Sequence, residues 1–380
     1  MDFSLNEEQS LLRDSARRFV EQRYSFQQRK AIVAQPDGFS RECWRAYADF
    51  GWLGAGLPED VGGMGGTAIE TAILMEEFGR GLIVEPYLSC AVLAGGLVNA
   101  AGNETQRREL LSPMINGERM LALAHGEPPA RGDAAWVEAR AVRRGGGWSL
   151  RGRKSRVLGG LNADVFIVAA RTSGETPDCR GITLFLVKGD ASGLKRENYR
   201  LVDRTRVSDL ILDDVEVDSE SVLGKVDGGF VPLQLALDEA TVAVCAEAVG
   251  AMEHVLWTTR DYLKTRSAFG TTLSTFQALR HRMADMLVEL EQARSIVHRG
   301  LASLRESDPE VRSHGVSATK IQVGESARFV GQQGIQLHGG IGMTEEYRVG
   351  HYFKRLSVIE SLFGNTDFHV ERYGRNITRF

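Results

Sequence analysis

No stretch of this 380-residue sequence reaches the about eighteen uninterrupted apolar residues of a membrane-spanning helix. Its opening, Met1-Asp2-Phe3-Ser4-Leu5-Asn6-Glu7-Glu8-Gln9, is acidic where a secretory leader would be basic, so a cytoplasmic chain without membrane contact is expected. Charge of neither sign dominates: 46 Lys and Arg stand against 50 Asp and Glu, a formal net charge of -4. That balance gives no global attraction to nucleic acid, and any polyanion site must be local. The four cysteines, Cys43, Cys90, Cys179 and Cys245, form no Cys-x-x-Cys pair, which favours buried thiols over disulfides or a bound metal. The glycine run Gly62–Gly66 lacks the Lys-Ser/Thr that completes a phosphate loop and is read as a structural turn. What is present, 43% hydrophobic residues over this length, is enough for two or three domains.

Taken in order, the chain opens on Ser4-x-x-Glu7, a capping box flanked by Phe3, ahead of a helical apolar face at Leu11, Leu12, Ala16, Phe19 and Val20. Ser40 is expected to cap a helix that turns Trp44 and Tyr47 inward and stops at Gly51. A further helix through Ile69, Ile73, Leu74 and Phe78 follows the glycine run, and Ala91–Ala101 and Gln106–Ile115 extend the layer. Near Leu121 the period shifts toward alternation, with strand-like runs at Met120–His125, Trp136–Val142, Trp148–Leu150, Val165–Ala170, Thr183–Val187 and Asp209–Val217. Such spacing predicts a small β-barrel or sandwich. Its Arg143, Arg144, Arg151, Arg153, Lys154 and Arg156 are read as solvated strand edges or as a polyanion patch. Helical periodicity resumes from Phe230 through Leu233, Leu237, Val244, Val249, Met252 and Leu256, then over Phe276–Leu301 and Arg312–Leu337. The expected domains are 1–120, all helical, 121–228, β, and 229–380, a helical bundle, an α+β chain.

Two motifs carry chemistry. Gln336-Leu337-His338-Gly339-Gly340-Ile341-Gly342 leaves a helical pattern through glycines that bare backbone amides to a phosphate, with no preceding strand for a dinucleotide fingerprint. Upstream lies Arg266-Ser267-Ala268-Phe269-Gly270, followed by Gln277. Together they resemble the Arg-x-x-Phe-Gly and Gln-x-x-Gly-Gly-x-Gly turns of the acyl-CoA dehydrogenase family. The resemblance runs end to end, through Leu57–Gly66 to Phe363-Gly364-Asn365-Thr366, and is greatest to chains named pimeloyl-CoA dehydrogenase small subunit. It implies an N-terminal helical domain, a middle β-barrel domain and a C-terminal four-helix bundle. It also implies FAD held at a subunit interface by Arg266, Phe269, Gln277, Gln336, Gly339, Gly340 and Thr366.

Desaturating an acyl-CoA thioester between Cα and Cβ needs a base for the Cα proton and a cofactor for the hydride, which no side chain accepts. Where most members of the family carry the base, a glutamate, this chain has Gly364; where some relocate it, this chain has Ala240. The Gly364 N–H is left as a donor to the thioester carbonyl. Glu239 lies one residue from Ala240, rotated by about 100°; Glu247 shares the Ala240 face about 10 Å further on. Asp367 and His369 are the other candidates, and no metal ligand set is apparent. The family's flavin-covering motif reads Gly126-Glu127-Pro128-Pro129-Ala130-Arg131-Gly132-Asp133 here, and its Trp-x-Thr reads Arg156-Val157-Leu158. The resemblance therefore implies a subunit that keeps the FAD-phosphate half of the site and works with a large, base-bearing partner subunit. A homodimer or homotetramer using Glu239 or Asp367, and a non-catalytic assembly subunit, are the alternatives. Electron-transfer flavoprotein is the implied electron acceptor, and a dicarboxylic acyl-CoA the implied substrate.

Overall fold

In the computed structural model, which describes residues 4–377, Asn6 rather than Ser4 opens the first helix, α1 (Glu7–Arg23). Asn6 Oδ1 accepts the Gln9 N–H at 2.8 Å, and Gln9 Oε1 accepts the Asn6 N–H at 3.1 Å. The reciprocal box thus forms two residues later than Ser4-x-x-Glu7 predicts, because Asn caps as well as Ser and the pattern repeats in the sequence. Phe3 lies outside the described residues. After α2 (Phe26–Ala34), Ser40 caps α3 (Arg41–Asp49), which buries Trp44 and Tyr47 and gives way to Gly51 at φ 75°. The glycine loop leads into α4 (Ala68–Gly81); the small-residue run then forms a fully buried π-helical stretch, Leu88–Gly95, before α5 (Gly96–Ala101) and α6 (Glu104–Ile115).

The middle of the chain holds β1 (Leu121–Ala124), β2 (Arg140–Arg144), β3 (Gly147–Leu158), β4 (Val165–Arg171), β5 (Ile182–Lys188), β6 (Leu194–Arg200), β7 (Arg206–Asp218) and β8 (Val222–Leu223). They make one eight-stranded sheet in the order β6-β7-β3-β2-β4-β5-β8, with β1 parallel to β4. Its core is Trp148, Leu150, Phe166, Val168, Phe185, Val187, Leu210 and Leu212. Trp136 belongs to no strand. The buried Arg171 guanidinium takes the Val137 and Ala135 carbonyls, each at 3.0 Å, so these groups are not available to a ladder. Strand β3 runs past Leu150 to Leu158 by absorbing two register shifts. Of the basic residues read as strand edges or a patch, Arg144, Arg151 and Arg153 pair with Glu216, Asp214 and Glu197 at the surface. Lys154 is neither: it is fully buried, 2.6 Å from Glu127.

The remaining elements are α7 (Phe230–Thr265), the hairpin β9 (Ser267–Ala268) and β10 (Thr271–Thr272), α8 (Gln277–Ser303), α9 (Pro309–His338), α10 (Arg348–Ser361) and α11 (Thr366–Ile377). The chain divides into two compact units. One gathers the N-terminal stretch through Ala31, Ala72–Ile83 and everything from Thr241; the other holds Ile32–Thr71 and Val84–Ala240. In the first unit α9 packs against α8, α10 and α11. There α4 and α7 meet backbone to backbone: a Cβ on Gly250 would lie 1.8 Å from the Glu76 carbonyl oxygen, and one on Gly79 would lie 1.9 Å from that of Glu247. The fold is α+β, helical at both ends with a sheet between. Cys43, Cys90 and Cys245 are buried and stand outside any disulfide among the described residues, whereas Cys179, expected buried, is exposed. No described helix is long and apolar enough to cross a membrane.

Candidate functional site

Helix α7 ends where the Arg266 N–H closes on the Tyr262 carbonyl at 2.8 Å, and the chain turns through the β9–β10 hairpin. Phe269 (φ 54°) and Gly270 (φ 80°) form its tip, which puts the Phe269 ring 95% exposed with Phe276 edge-on at 6.3 Å. Arg266 and Gln277 are exposed, and the Arg266 guanidinium has no partner among the described residues. A hairpin this small cannot bury an aromatic side chain, so an apolar ring at its tip is left for something other than the chain's own core.

The second motif is brought to the same place. Tyr262, one turn before Arg266, stacks on His338 with centroids 4.4 Å apart, and its hydroxyl donates to the His338 carbonyl at 3.3 Å. Buried His338 points Nδ1 at the Gly334 carbonyl, 2.7 Å away, so Nδ1 carries the proton and Nε2 is an acceptor. Nε2 is buried with no partner, and burial holds the imidazole below its ordinary pKa despite the Gly334 bond. Past His338, Gly339 (φ 64°) and Gly340 are exposed, and a Cβ at either would meet nothing within 4 Å. Gln336 is exposed as well. The exposed Gly340, an unengaged cation and a buried orphan nitrogen therefore lie around one helix-end stack, whereas the Gly339 N–H is taken by the Gln336 and Ile335 carbonyls.

The third segment is the turn between α10 and α11. Gly364 is buried at φ 99°, and a Cβ there would lie 2.3 Å from Phe368 Cδ1. The Phe368 ring fills the space where any side chain at 364 would begin. Thr366 is buried with its N–H on Glu360 Oε1 at 3.0 Å and its Oγ1 unpartnered. Lys320 of α9, 1% exposed, donates to the Gly364 and Glu360 carbonyls at 2.7 and 2.8 Å; burial lowers its pKa, against the pull of Cys245 and Glu360. His369, also 1% exposed, sits 3.1 Å from the Phe363 carbonyl and 3.2 Å from Ser317 Oγ. The sequence reading missed Lys320 and Phe368. Lys320 was findable, because it interrupts the buried stripe Val316, Val323, Ala327 and Val330 at helical spacing.

The alternative bases fare differently. Glu247 is a buried partner of Arg355, with contacts of 2.6 and 2.8 Å, and is committed to that pair. His369 Nε2 is engaged on the Phe363 carbonyl, and burial, then Lys320 and Arg372, lower its pKa to about 3. Asp367 is exposed on the first turn of α11. In the other unit, Ala240 is fully buried, while the Glu239 carboxylate lies over Gly96, 3.4 Å from where a Cβ would stand. Although its side chain keeps solvent contact, crowding by protein around the carboxylate and then the neighbouring Asp238 raise its pKa.

Family models describing the acyl-CoA dehydrogenase N-terminal, middle and C-terminal domains match residues 6–118, 122–215 and 227–378. The caffeyl-CoA reductase-Etf complex subunit CarC of Acetobacterium woodii is 31% identical over 358 residues, 93% of either chain. The chain belongs to the acyl-CoA dehydrogenase family. Acyl-CoA dehydrogenases are FAD-binding oxidoreductases acting on CH–CH bonds. Among solved acyl-CoA dehydrogenases, a variant of the Tcur3481-Tcur3483 steroid enzyme is 30% identical, with a TM-score of 0.89 over 99% of both chains. The ChsE4-ChsE5 complex from Mycobacterium tuberculosis is similar over 100% of both chains, at 25% identity and a TM-score of 0.90. Both are named as pairs of chains.

Proposed function

We propose that this chain is the small subunit of a heteromeric FAD-dependent acyl-CoA dehydrogenase, holding the FAD diphosphate and the thioester while a partner subunit supplies the carboxylate base. The observation that carries this reading is the Phe368 ring beside Gly364: the usual base position is not merely vacated by substitution but filled by a neighbour. The naming of CarC within an Etf complex and of two structural relatives as paired chains supports a heteromer and electron-transfer flavoprotein as electron acceptor.

The residues present fit FAD. Arg266 offers an unengaged guanidinium for the diphosphate, Gly339 and Gly340 leave an open approach to the backbone although the Gly339 N–H itself closes on the Gln336 and Ile335 carbonyls, and Gln277 and Gln336 are exposed amide side chains. Phe269 supplies an apolar face, and the unpartnered Thr366 Oγ1 supplies a hydroxyl. Bound there, FAD would accept the Cβ hydride. The Gly364 N–H would draw electron density onto the thioester oxygen, which acidifies the Cα proton without taking it. Purification of the lone chain and of the chain co-expressed with other family members, followed by acyl-CoA turnover, tests the reading. Full activity of the lone chain removes it.

A second reading has one observation behind it. Burial and then Asp238 raise the pKa of Glu239, the direction that suits a general base, and a base there would allow a self-sufficient homo-oligomer. An active lone chain that loses on the order of 100-fold on Glu239→Gln would establish that reading.

A further inference from the structure

The α10–α11 turn holds two successive residues in the left-handed region, Phe363 at φ 57° and Gly364 at φ 99°. Glycine adopts this freely, whereas phenylalanine does so only against steric resistance, so something must hold the turn. Two buried donors do. His369 Nε2 lies 3.1 Å from the Phe363 oxygen, and Lys320 Nζ lies 2.7 Å from the Gly364 oxygen. Because a carbonyl can only accept, Nε2 carries the ring proton and Nδ1 accepts from Ser317 Oγ at 3.2 Å. The imidazole is neutral and its tautomer is fixed. Both peptide bonds of the turn are trans, the one cis bond described being Thr176-Pro177. In a trans peptide the C=O and N–H point in opposite directions. Anchoring the Phe363 and Gly364 oxygens toward α9 and α11 therefore turns the Gly364 and Asn365 N–H groups away from those helices. Neither N–H donates to a protein acceptor among the described residues.

We propose that His369 and Lys320 are positioning residues, which pin two successive carbonyls inward and so aim the Gly364 and Asn365 N–H groups as a donor pair for the thioester oxygen. The inference rests on the reading of Gly364 N–H as the thioester donor and adds what orients it. A glycine at 364 then has a second use: the left-handed geometry that presents the pair is the one that a side chain would oppose.

Two isosteric variants separate positioning from general stability. Gln at 369 carries an N–H at the reach of Nε2, whereas Asn carries it at the reach of Nδ1 and leaves the Phe363 oxygen unpaired. In crystals of the full-length chain, His369→Asn is expected to show the Phe363–Gly364 peptide turned out of the left-handed region, and His369→Gln to keep it. An unchanged turn in His369→Asn overturns the positioning role alone. If that variant does not fold, Lys320→Met makes the same comparison at the Gly364–Asn365 peptide. The second readout is the infrared carbonyl stretch of [1-13C]octanoyl-CoA on the FAD-loaded protein with its partner chain. A lowered frequency in wild type, lost in His369→Asn and regained in His369→Gln, supports the proposal, with kcat falling about 100-fold and KM little changed. A bound thioester with an unshifted stretch in wild type overturns the donor reading itself, and the proposal with it.

Discussion

Position 364 shows why a carboxylate is not installed by substitution alone. A glutamate there would carry its Cβ into Phe368 at 2.3 Å and hold a φ of 99° that L side chains avoid. Overpacking of this kind costs about 1–3 kcal/mol, and the left-handed backbone adds roughly 1–2 kcal/mol. Gly364→Glu is therefore expected to lower the urea midpoint and to give no gain in acyl-CoA turnover by the lone chain; a gain would mean that the ring moves aside freely. Arg266 presents the opposite case. It is exposed and unpaired among the described residues, so Arg266→Ala should shift unfolding by no more than about 0.5 kcal/mol. If its guanidinium meets the FAD diphosphate, the lost charge-assisted bond is worth about 1.5–3 kcal/mol. Flavin titration by fluorescence should then show FAD binding weakened by roughly 10- to 100-fold. An unchanged affinity would separate Arg266 from the cofactor.

Among the elements, what the sequence made legible follows the strength of the local signal. Helices α8 and α9 fall within a few residues of their expected ends, because long apolar stripes between clear breakers leave little choice. Strand β6, Leu194–Arg200, was invisible: most of its side chains are exposed, it pairs only with β7, and its charges are those of an edge that resists further pairing. Trp136 looked like a strand residue because alternation cannot report that the buried guanidinium of Arg171, distant in sequence, claims the neighbouring carbonyls. The candidate segments were legible where they carry a sequence motif, at Arg266 and Gly339–Gly340. The rest was hidden where one side chain acts on another residue's backbone or space, as with Lys320 and Phe368, while His369 was a candidate only as a base. Packing between elements gives its own test. Gly250 sets the approach of α7 to α4, and a methyl there would sit 1.8 Å from the Glu76 oxygen, backbone that cannot swing away. Gly250→Ala should gain helix propensity of about 1 kcal/mol and still lose stability overall by about 1–3 kcal/mol. A variant as stable as wild type in urea would show that the helices separate without penalty.

For the whole molecule, the buried imidazoles set how stability depends on pH. His254 is brought to about 4 by burial and then by Arg348 and Arg80, and His369 to about 3. His338 and His351 are also lowered, burial being the first cause in each. In the unfolded chain each titrates near 6.5. As pH falls below that value the unfolded chain takes up protons that the native state refuses, so the free energy of unfolding decreases until the folded values are passed. Glu253 extends the loss to lower pH: burial pushes it up, but Arg80 and Arg294 bring it to about 2, so its contribution fades from about 4.5 downward. Glu239 works in the opposite sense, since a raised carboxyl binds its proton first in the folded state, but it is one group against several. The urea midpoint should accordingly fall steadily from pH 7.5 to pH 4. The slope between about pH 6.5 and 4.5 should be shallower in His254→Gln. A midpoint that stays level across that interval would mean that these rings accept protons in the native state, and with His369 charged its Nδ1 could no longer accept from Ser317, so the fixed tautomer behind the Phe363–Gly364 turn would be lost with it.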